Sequence, residues 1–141
     1  MDSEFFIKKL NLLPHPEGGW YKETYLSNFT IENRPSASMI YYLLKEKEIS
    51  KWHKVTDADE LWIWNYGEAL ELKYSNDGGL QKKIILGPNK NGDQFFQMVI
   101  PKGVWQSAKS LGEWSLVSCV VSPAFSFDGF EIAEKGWEPG K

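Results

Sequence analysis

Apolar and polar positions change period once along this chain. Near the N-terminus Phe6, Leu10 and Leu13 fall at helical spacing on one face, with Asp2 or Ser3 suited to cap, Glu4 to the first turn and Lys8 and Lys9 to the last. The spacing predicts one short helix, ended by Pro14. Beyond it the pattern becomes short apolar or alternating runs separated by Gly, Pro, Asn and Asp, as an all-β chain requires. Strands are predicted near Trp20–Leu26, Ser38–Leu44, Ser50–Val55, Leu61–Tyr66, Ala69–Tyr74, Leu80–Leu86, Gln94–Ile100, Val104–Lys109, Ser115–Val121 and Gly129–Ile132. Turn sequences such as Asn76-Asp77-Gly78-Gly79 and Pro101-Lys102-Gly103 separate them. Without helical crossovers, a sandwich or jelly roll over 1–141 is expected, in one domain.

Met39–Leu44 and Leu61–Trp64 are apolar on both faces. A sheet covered from outside by a second copy of the chain explains this, so a homodimer is expected.

Composition narrows the partners. Sixteen basic and nineteen acidic residues give a net charge of -3, and no stripe of Lys and Arg interleaved with aromatics tracks a phosphate backbone, which argues against nucleic acid. Arg34 is the only arginine, so strongly anionic ligands are disfavoured. The single cysteine, Cys119, excludes an internal disulfide and fits a reducing compartment; its apolar strand reads as packing. The start Met1-Asp2-Ser3-Glu4 has no signal-peptide pattern and no apolar run reaches membrane-spanning length. A cytoplasmic location and no membrane partner are therefore expected. Seven Trp, six Tyr and eight Phe are enough to fill a core and wall a small-molecule pocket.

The candidate chemistry lies in Ser50–Gly67. Strand alternation puts His53 and Val55 on one face, and Glu60, Trp62, Trp64 and Tyr66 on one face of the next strand. If both faces point inward, an imidazole and a carboxylate share a cavity walled by indoles, an environment that shifts both pKa values and suits proton transfer. Glu23 and Tyr25 alternate onto one face and could reach the same cavity as substrate contacts, although a carboxylate on the strand surface is the commoner outcome. His15 and Glu17 lie in a Pro- and Gly-rich turn that reads chiefly as a rigid bend into the first long strand, with an edge contact to the pocket as the lesser reading.

This segment resembles the first cupin motif, in which Gly and five residues precede His-x-His, and Glu and Gly follow. His53, Glu60 and Gly67 keep the spacing; Val55 replaces the second His. The second cupin motif resembles Pro101-Lys102-Gly103-Val104-Trp105-Gln106, with Gln106 at the His position and Ser110 at the Asn. Together with His15-Pro16-Glu17-Gly18-Gly19-Trp20-Tyr21, Trp52-His53, Asp59-Glu60-Leu61-Trp62, Trp105-Gln106 and Ser122-Pro123, the chain resembles one uncharacterised family of the RmlC-like cupin superfamily. Leu26 stands where that family tends to carry Arg.

The resemblance implies a double-stranded β-helix, the cupin jelly roll, dimeric and related to sugar-nucleotide epimerases and germin-like proteins. A full cupin site offers three His and one Glu to a metal; here the metal set reduces to His53, Glu60 and Gln106, so no cofactor is expected beyond a divalent metal at low occupancy. Three functions stay open. The first is a small-molecule-binding cupin acting as a metal-free isomerase or epimerase on a small polar or sugar-like substrate. There His53 is the base, Glu60 its partner, Tyr66 a proton donor, and Gln106, Trp62, Trp64, Glu23 and Tyr25 contact the ligand. The others are a metal-dependent cupin enzyme and a non-catalytic binding or storage-like protein.

Overall fold

The structure, a computed structural model, describes residues 1–140. Helix α1 (Ser3–Lys9) is capped by Asp2, whose Oδ1 accepts from the Phe5 amide at 2.9 Å. It ends sooner than the apolar spacing predicts, because Asn11 takes the left-handed conformation (φ 55°). The Asn11 and Leu12 amides then turn back onto the carbonyls of Lys8 (3.3 Å) and Ile7 (2.9 Å), which closes the last turn. Leu12 is therefore the buried residue, and Leu13 is exposed on the two-residue strand β1 (Leu13–Pro14).

The remaining strands are β2 (Trp20–Leu26), β3 (Thr30–Ile31), β4 (Arg34–Pro35), β5 (Ser38–Lys45), β6 (Ile49–Val55), β7 (Asp59–Gly67), β8 (Leu70–Ser75), β9 (Lys82–Leu86), β10 (Gln97–Ile100), β11 (Trp105–Ser110), β12 (Trp114–Ser122) and β13 (Phe130–Ile132). They form a six-stranded sheet in the order β1-β2-β5-β12-β7-β10 and a five-stranded sheet in the order β13-β6-β11-β8-β9, with β3-β4 as a separate pair. All ten predicted strands are present, with boundaries shifted by a few residues. The Asn76–Gly79 turn does close a hairpin, between β8 and β9.

The main core fills the space between the sheets with Tyr42, Leu44, Trp62, Leu70, Leu72 and Leu86 among others. A second cluster lies on the outer face of the six-stranded sheet. There Leu43, Trp114 and Leu116 are covered by Phe6, Ile7 and Leu10 of the N-terminal segment. This corrects part of the argument from two-sided apolar strands: the chain's own helix covers half of that face. The other half carries an apolar row running straight across five strands, Tyr25, Met39, Val120, Leu61 and Val99, each directly opposite the next.

No described helix is long and apolar enough to cross a membrane. Cys119 is 2% exposed, in the packed position its strand suggests.

Candidate functional site

The two sheets meet along one side only. At the β9/β10 side a bridge between Leu86 and Phe95 joins them. At the opposite side β2 and β13 belong to different sheets and are not paired with each other. A cavity of about 250 Å³ opens there, walled by side chains of β2, β5, β6, β12 and β13.

Three bulges aim the residues around it. In β6 the register against β11 passes from Gln106 opposite His53 to Ala108 opposite Ser50, which puts one extra residue in β6. Lys51 and Trp52 therefore both turn outward, while Ser50 and His53 both turn inward and are buried. The bulged backbone also orients the imidazole: His53 Nδ1 lies 2.6 Å from the Lys51 carbonyl oxygen. A carbonyl only accepts, so Nδ1 carries the hydrogen and Nε2 is left as the basic nitrogen.

Nε2 meets Glu17, whose Oε2 is 3.2 Å away. The other Glu17 oxygen accepts from Ser50 Oγ at 3.0 Å. The turn His15–Gly19 carries this carboxyl to the ring. It closes on itself through His15 N to Gly19 O (2.8 Å) and is tied to β6 by Lys51 N to Glu17 O (3.1 Å). The Tyr42 hydroxyl donates to the Gly18 carbonyl. Gly18 is required by its φ of 108° and because a Cβ would come within 2.3 Å of the Ile49 carbonyl oxygen. The sequence reading as a rigid bend describes the backbone; it missed that the bend delivers the partner of His53.

Glu17 and His53 are 6% and 2% exposed. Burial holds the imidazole below its ordinary pKa, although Glu60 and the Lys51 carbonyl pull it upward. Burial pushes the Glu17 carboxyl up, against the opposing effects of His15, Ser50 and Tyr42. Both shifts favour the neutral arrangement, in which one proton lies between Oε2 and Nε2 and Glu17 is its donor.

Glu60, on β7, is the second carboxyl of the cavity. Its Oε1 accepts from Gln106 Nε2 at 2.9 Å, and Gln106 Oε1 accepts from Trp62 Nε1 at 2.8 Å. The indole thereby fixes which end of the Gln106 amide faces Glu60. Burial raises the Glu60 carboxyl to about 7, with nearby Glu17 adding to the rise and His53, Gln106 and the Cys119 thiol opposing it. Burial also keeps the Cys119 thiol protonated, with a pKa well above its ordinary value.

Several candidate residues lie elsewhere than their spacing predicts. A bulge in β7 at Asn65, between the pairs Trp64 with Val117 and Tyr66 with Leu116, reverses the alternation. Tyr66 therefore leaves the face of Glu60, stacks on Trp114 and packs at a tilt against Phe6 of α1. A bulge at Thr24 in β2 separates Glu23 from Tyr25 in the same way. Glu23 lines the cavity, whereas Tyr25 points outward and is 49% exposed. Trp62 is buried core, and Trp64 packs against that core with its Nε1 donating to the Glu68 carbonyl; neither lines the cavity. Gln106 uses both ends of its amide within the protein and faces Glu60 instead of a ligand. Arg34 is committed to the Asp57 carboxylate and the Ala124 carbonyl.

The four positions that hold metal in a complete cupin do not form a metal set here. Val55 has no donor atom, the Gln106 oxygen is turned to the Trp62 indole, and the Nε2 lone pair of His53 is taken by Glu17. Among the described residues no group of three His, Cys, Asp or Glu side chains is arranged to hold a metal ion.

The chain is similar to several known proteins. Protein SO0799 from Shewanella oneidensis is 34% identical, with 95% of this chain and 85% of that one covered at a TM-score of 0.90. A hypothetical protein from Leishmania major is 28% identical over 97% of this chain and 90% of its own, at a TM-score of 0.88. The uncharacterized protein YML079W of Saccharomyces cerevisiae is 29% identical over 86% of this chain and 70% of its own. A dTDP sugar isomerase from Desulfovibrio desulfuricans, at 14% identity, covers 82% of this chain and 85% of its own at a TM-score of 0.62. A likeness that distant shows the shared jelly roll. The family model described as Cupin superfamily (DUF985) matches residues 4–133; the chain belongs to that family.

Proposed function

We propose that this cupin binds a small polar molecule and moves a proton next to its carbonyl group, as an isomerase or epimerase does. The observation that carries this reading is the proton-sharing pair of His53 and Glu17 beside a second carboxyl, Glu60, poised near neutrality in the same cavity. A general base and a general acid with separated environments are what such chemistry needs.

In the proposed step the substrate C–H bond breaks and its proton passes to Glu17, which hands its own proton to His53 Nε2. The electron pair of that bond moves to the carbonyl oxygen, which takes a proton from Glu60. Return of the proton from Glu17 to the neighbouring carbon gives the isomer, with His53 Nε2 handing its proton back to Glu17 and Glu60 recovering one from the enol oxygen. Protonation of the other face by water at the open side gives the epimer, the hydroxide left behind taking the proton held by Glu17 and His53. The sugar isomerase among the fold neighbours supports the reading as an analogy only.

The test is deuterium incorporation from D2O, followed by NMR, into hydroxy-aldehydes and hydroxy-ketones of three to six carbons. Exchange at the carbon beside the carbonyl is expected for at least one of them, lowered about 100-fold or more by His53→Asn. Rates no higher than with heat-denatured protein across the whole set would overturn the reading.

A homodimer is part of the proposal. The row Tyr25, Met39, Val120, Leu61 and Val99 supports it, since α1 covers only the neighbouring half of the face. Light scattering at micromolar concentration is expected to give twice the 16.2 kDa chain mass. Val120→Lys at the centre of the row is expected to halve the observed value; a monomer in the unaltered protein refutes this arrangement.

A further inference from the structure

The polar atoms that face the cavity are unbalanced. Three carboxyl groups, Glu17, Glu23 and Glu60, line it, and among the described residues no Lys or Arg does. The chain's only guanidinium is held outside, with Nε 2.9 Å from the Ala124 carbonyl and one terminal nitrogen 2.9 Å from Asp57. The Tyr42 hydroxyl spends its hydrogen on the Gly18 carbonyl, and Ser38 Oγ accepts from the Phe125 amide at 3.0 Å. What remains for a ligand is carboxyl oxygen, with the Tyr21 hydroxyl and the Nε2–H of His15, whose Nδ1 accepts from the Glu17 amide, as neutral donors beside it.

Glu23 is the outermost of the three carboxyls. It sits on β2 at the open side, past the last β1 pairing at Tyr21, and has no hydrogen-bond or ion-pair partner among the described residues. The aromatic wall, Phe125, Phe127 and Phe130, forms one cluster with ring centroids 4.9 to 6.1 Å apart. Phe127 is two-thirds exposed while still lining the cavity. At about 250 Å³ the space lies just below the range of drug-sized pockets.

We propose that the cavity takes an uncharged, hydroxyl-rich molecule no larger than one sugar ring, and that Glu23 turns away its phosphorylated form. Hydroxyl hydrogens satisfy the carboxyl oxygens, and the carbon face of the ring packs on the phenylalanines. A phosphate enters against the like charge of Glu23, with no Lys or Arg among the described lining residues to receive it. This ligand class rests on the proposed function for its site and extends it to substrate choice.

The test uses the full chain and three pairs of probes: D-glyceraldehyde, D-ribose and D-fructose, each with its terminal phosphate ester. Saturation-transfer NMR reads contact with the aromatic protons, and titration reads affinity. At least one free sugar is expected to bind and its ester to bind about 100-fold more weakly or not at all. Glu23→Lys, a change at an exposed edge position, is expected to strengthen binding of that ester at least about tenfold.

An ester that binds the unaltered protein as well as its parent sugar overturns the inference, and so does silence from all three sugars. The two proposals fail separately. A free sugar that binds without exchanging deuterium refutes the reaction and leaves the ligand class standing. A phosphate ester that both binds and exchanges does the reverse.

Discussion

Replacing Glu60 by Gln is expected to stabilise the protein at pH 8 by about 3 kcal/mol while removing its proton-transfer activity. The wild-type carboxyl titrates near 4.5 when unfolded and at about 7 when folded. The sign follows from which state holds the proton. Below pH 4.5 both states are protonated and the site costs nothing. Between about 4.5 and 7 the unfolded chain has lost the proton that the folded chain still holds, so stability falls as pH rises. Above 7 the folded state carries a buried carboxylate and the loss is complete. A neutral amide at position 60 still accepts from Gln106 and never bears that charge.

The stability difference between variant and wild type, measured by urea unfolding at several pH values, should therefore grow from pH 4.5 to 7 and then level off. His15 and His53, both lowered chiefly by burial, act in the opposite sense, since their contribution is lost as pH falls through the ordinary imidazole value. His15 is present in both proteins and cancels in the difference. His53 does not cancel in full, because the Glu60 carboxylate that pulls it upward is gone in the variant, and this steepens the rise below the ordinary imidazole value. A difference independent of pH would show that Glu60 titrates as an ordinary surface carboxyl. A stabilising change that abolishes activity is the trade expected when a group is held in an unfavourable state for use.

At Glu17, two substitutions are expected to separate structure from chemistry. Glu17→Ala leaves Ser50 Oγ and His53 Nε2 without partners at positions 0% and 2% exposed. Two unsatisfied polar groups and the lost side-chain volume should cost about 2–4 kcal/mol, seen as a lower urea midpoint at unchanged slope. Glu17→Gln keeps both contacts, because its oxygen accepts from Ser50 and its amide donates to Nε2. It should fold within about 1 kcal/mol of wild type. Its amide cannot release a proton, so deuterium exchange should fall about 100-fold or more. If Glu17→Ala unfolds at the wild-type midpoint, the buried contact with His53 does not exist in solution. If Glu17→Gln exchanges at the wild-type rate, Glu17 is not the relay.

The fold was legible in the chain because it depends on signals that are local. The ten strands follow from short apolar runs between Gly, Pro, Asn and Asp, and the helix start from Asp2 and Glu4. His53 and Glu60 were legible as cavity residues from alternation and cupin spacing together, and both are buried facing it. What alternation cannot register is a bulge, since one extra residue reverses every side chain beyond it at no visible cost in the pattern. This is why Tyr66 and Tyr25 read as site residues and lie outside the cavity, and why Ser50 joins His53 on the inner face.

The partner of His53 was hidden for a different reason. Glu17 and His53 are joined by no periodicity, and only the docking of the Gly18-Gly19 turn on β6 brings them within 3.2 Å. Likewise Gln106 reads by position as a ligand contact, and its role is decided by an indole on another strand that turns its amide toward Glu60. The sequence by itself determined that a histidine and a carboxyl share the inside of an all-β jelly roll, and that half of the cupin metal donors are missing. Tertiary structure alone decided which carboxyl holds the shared proton and which faces open to a ligand. Those choices depend on bulges and on contacts between distant segments, which hydrophobic patterning does not encode.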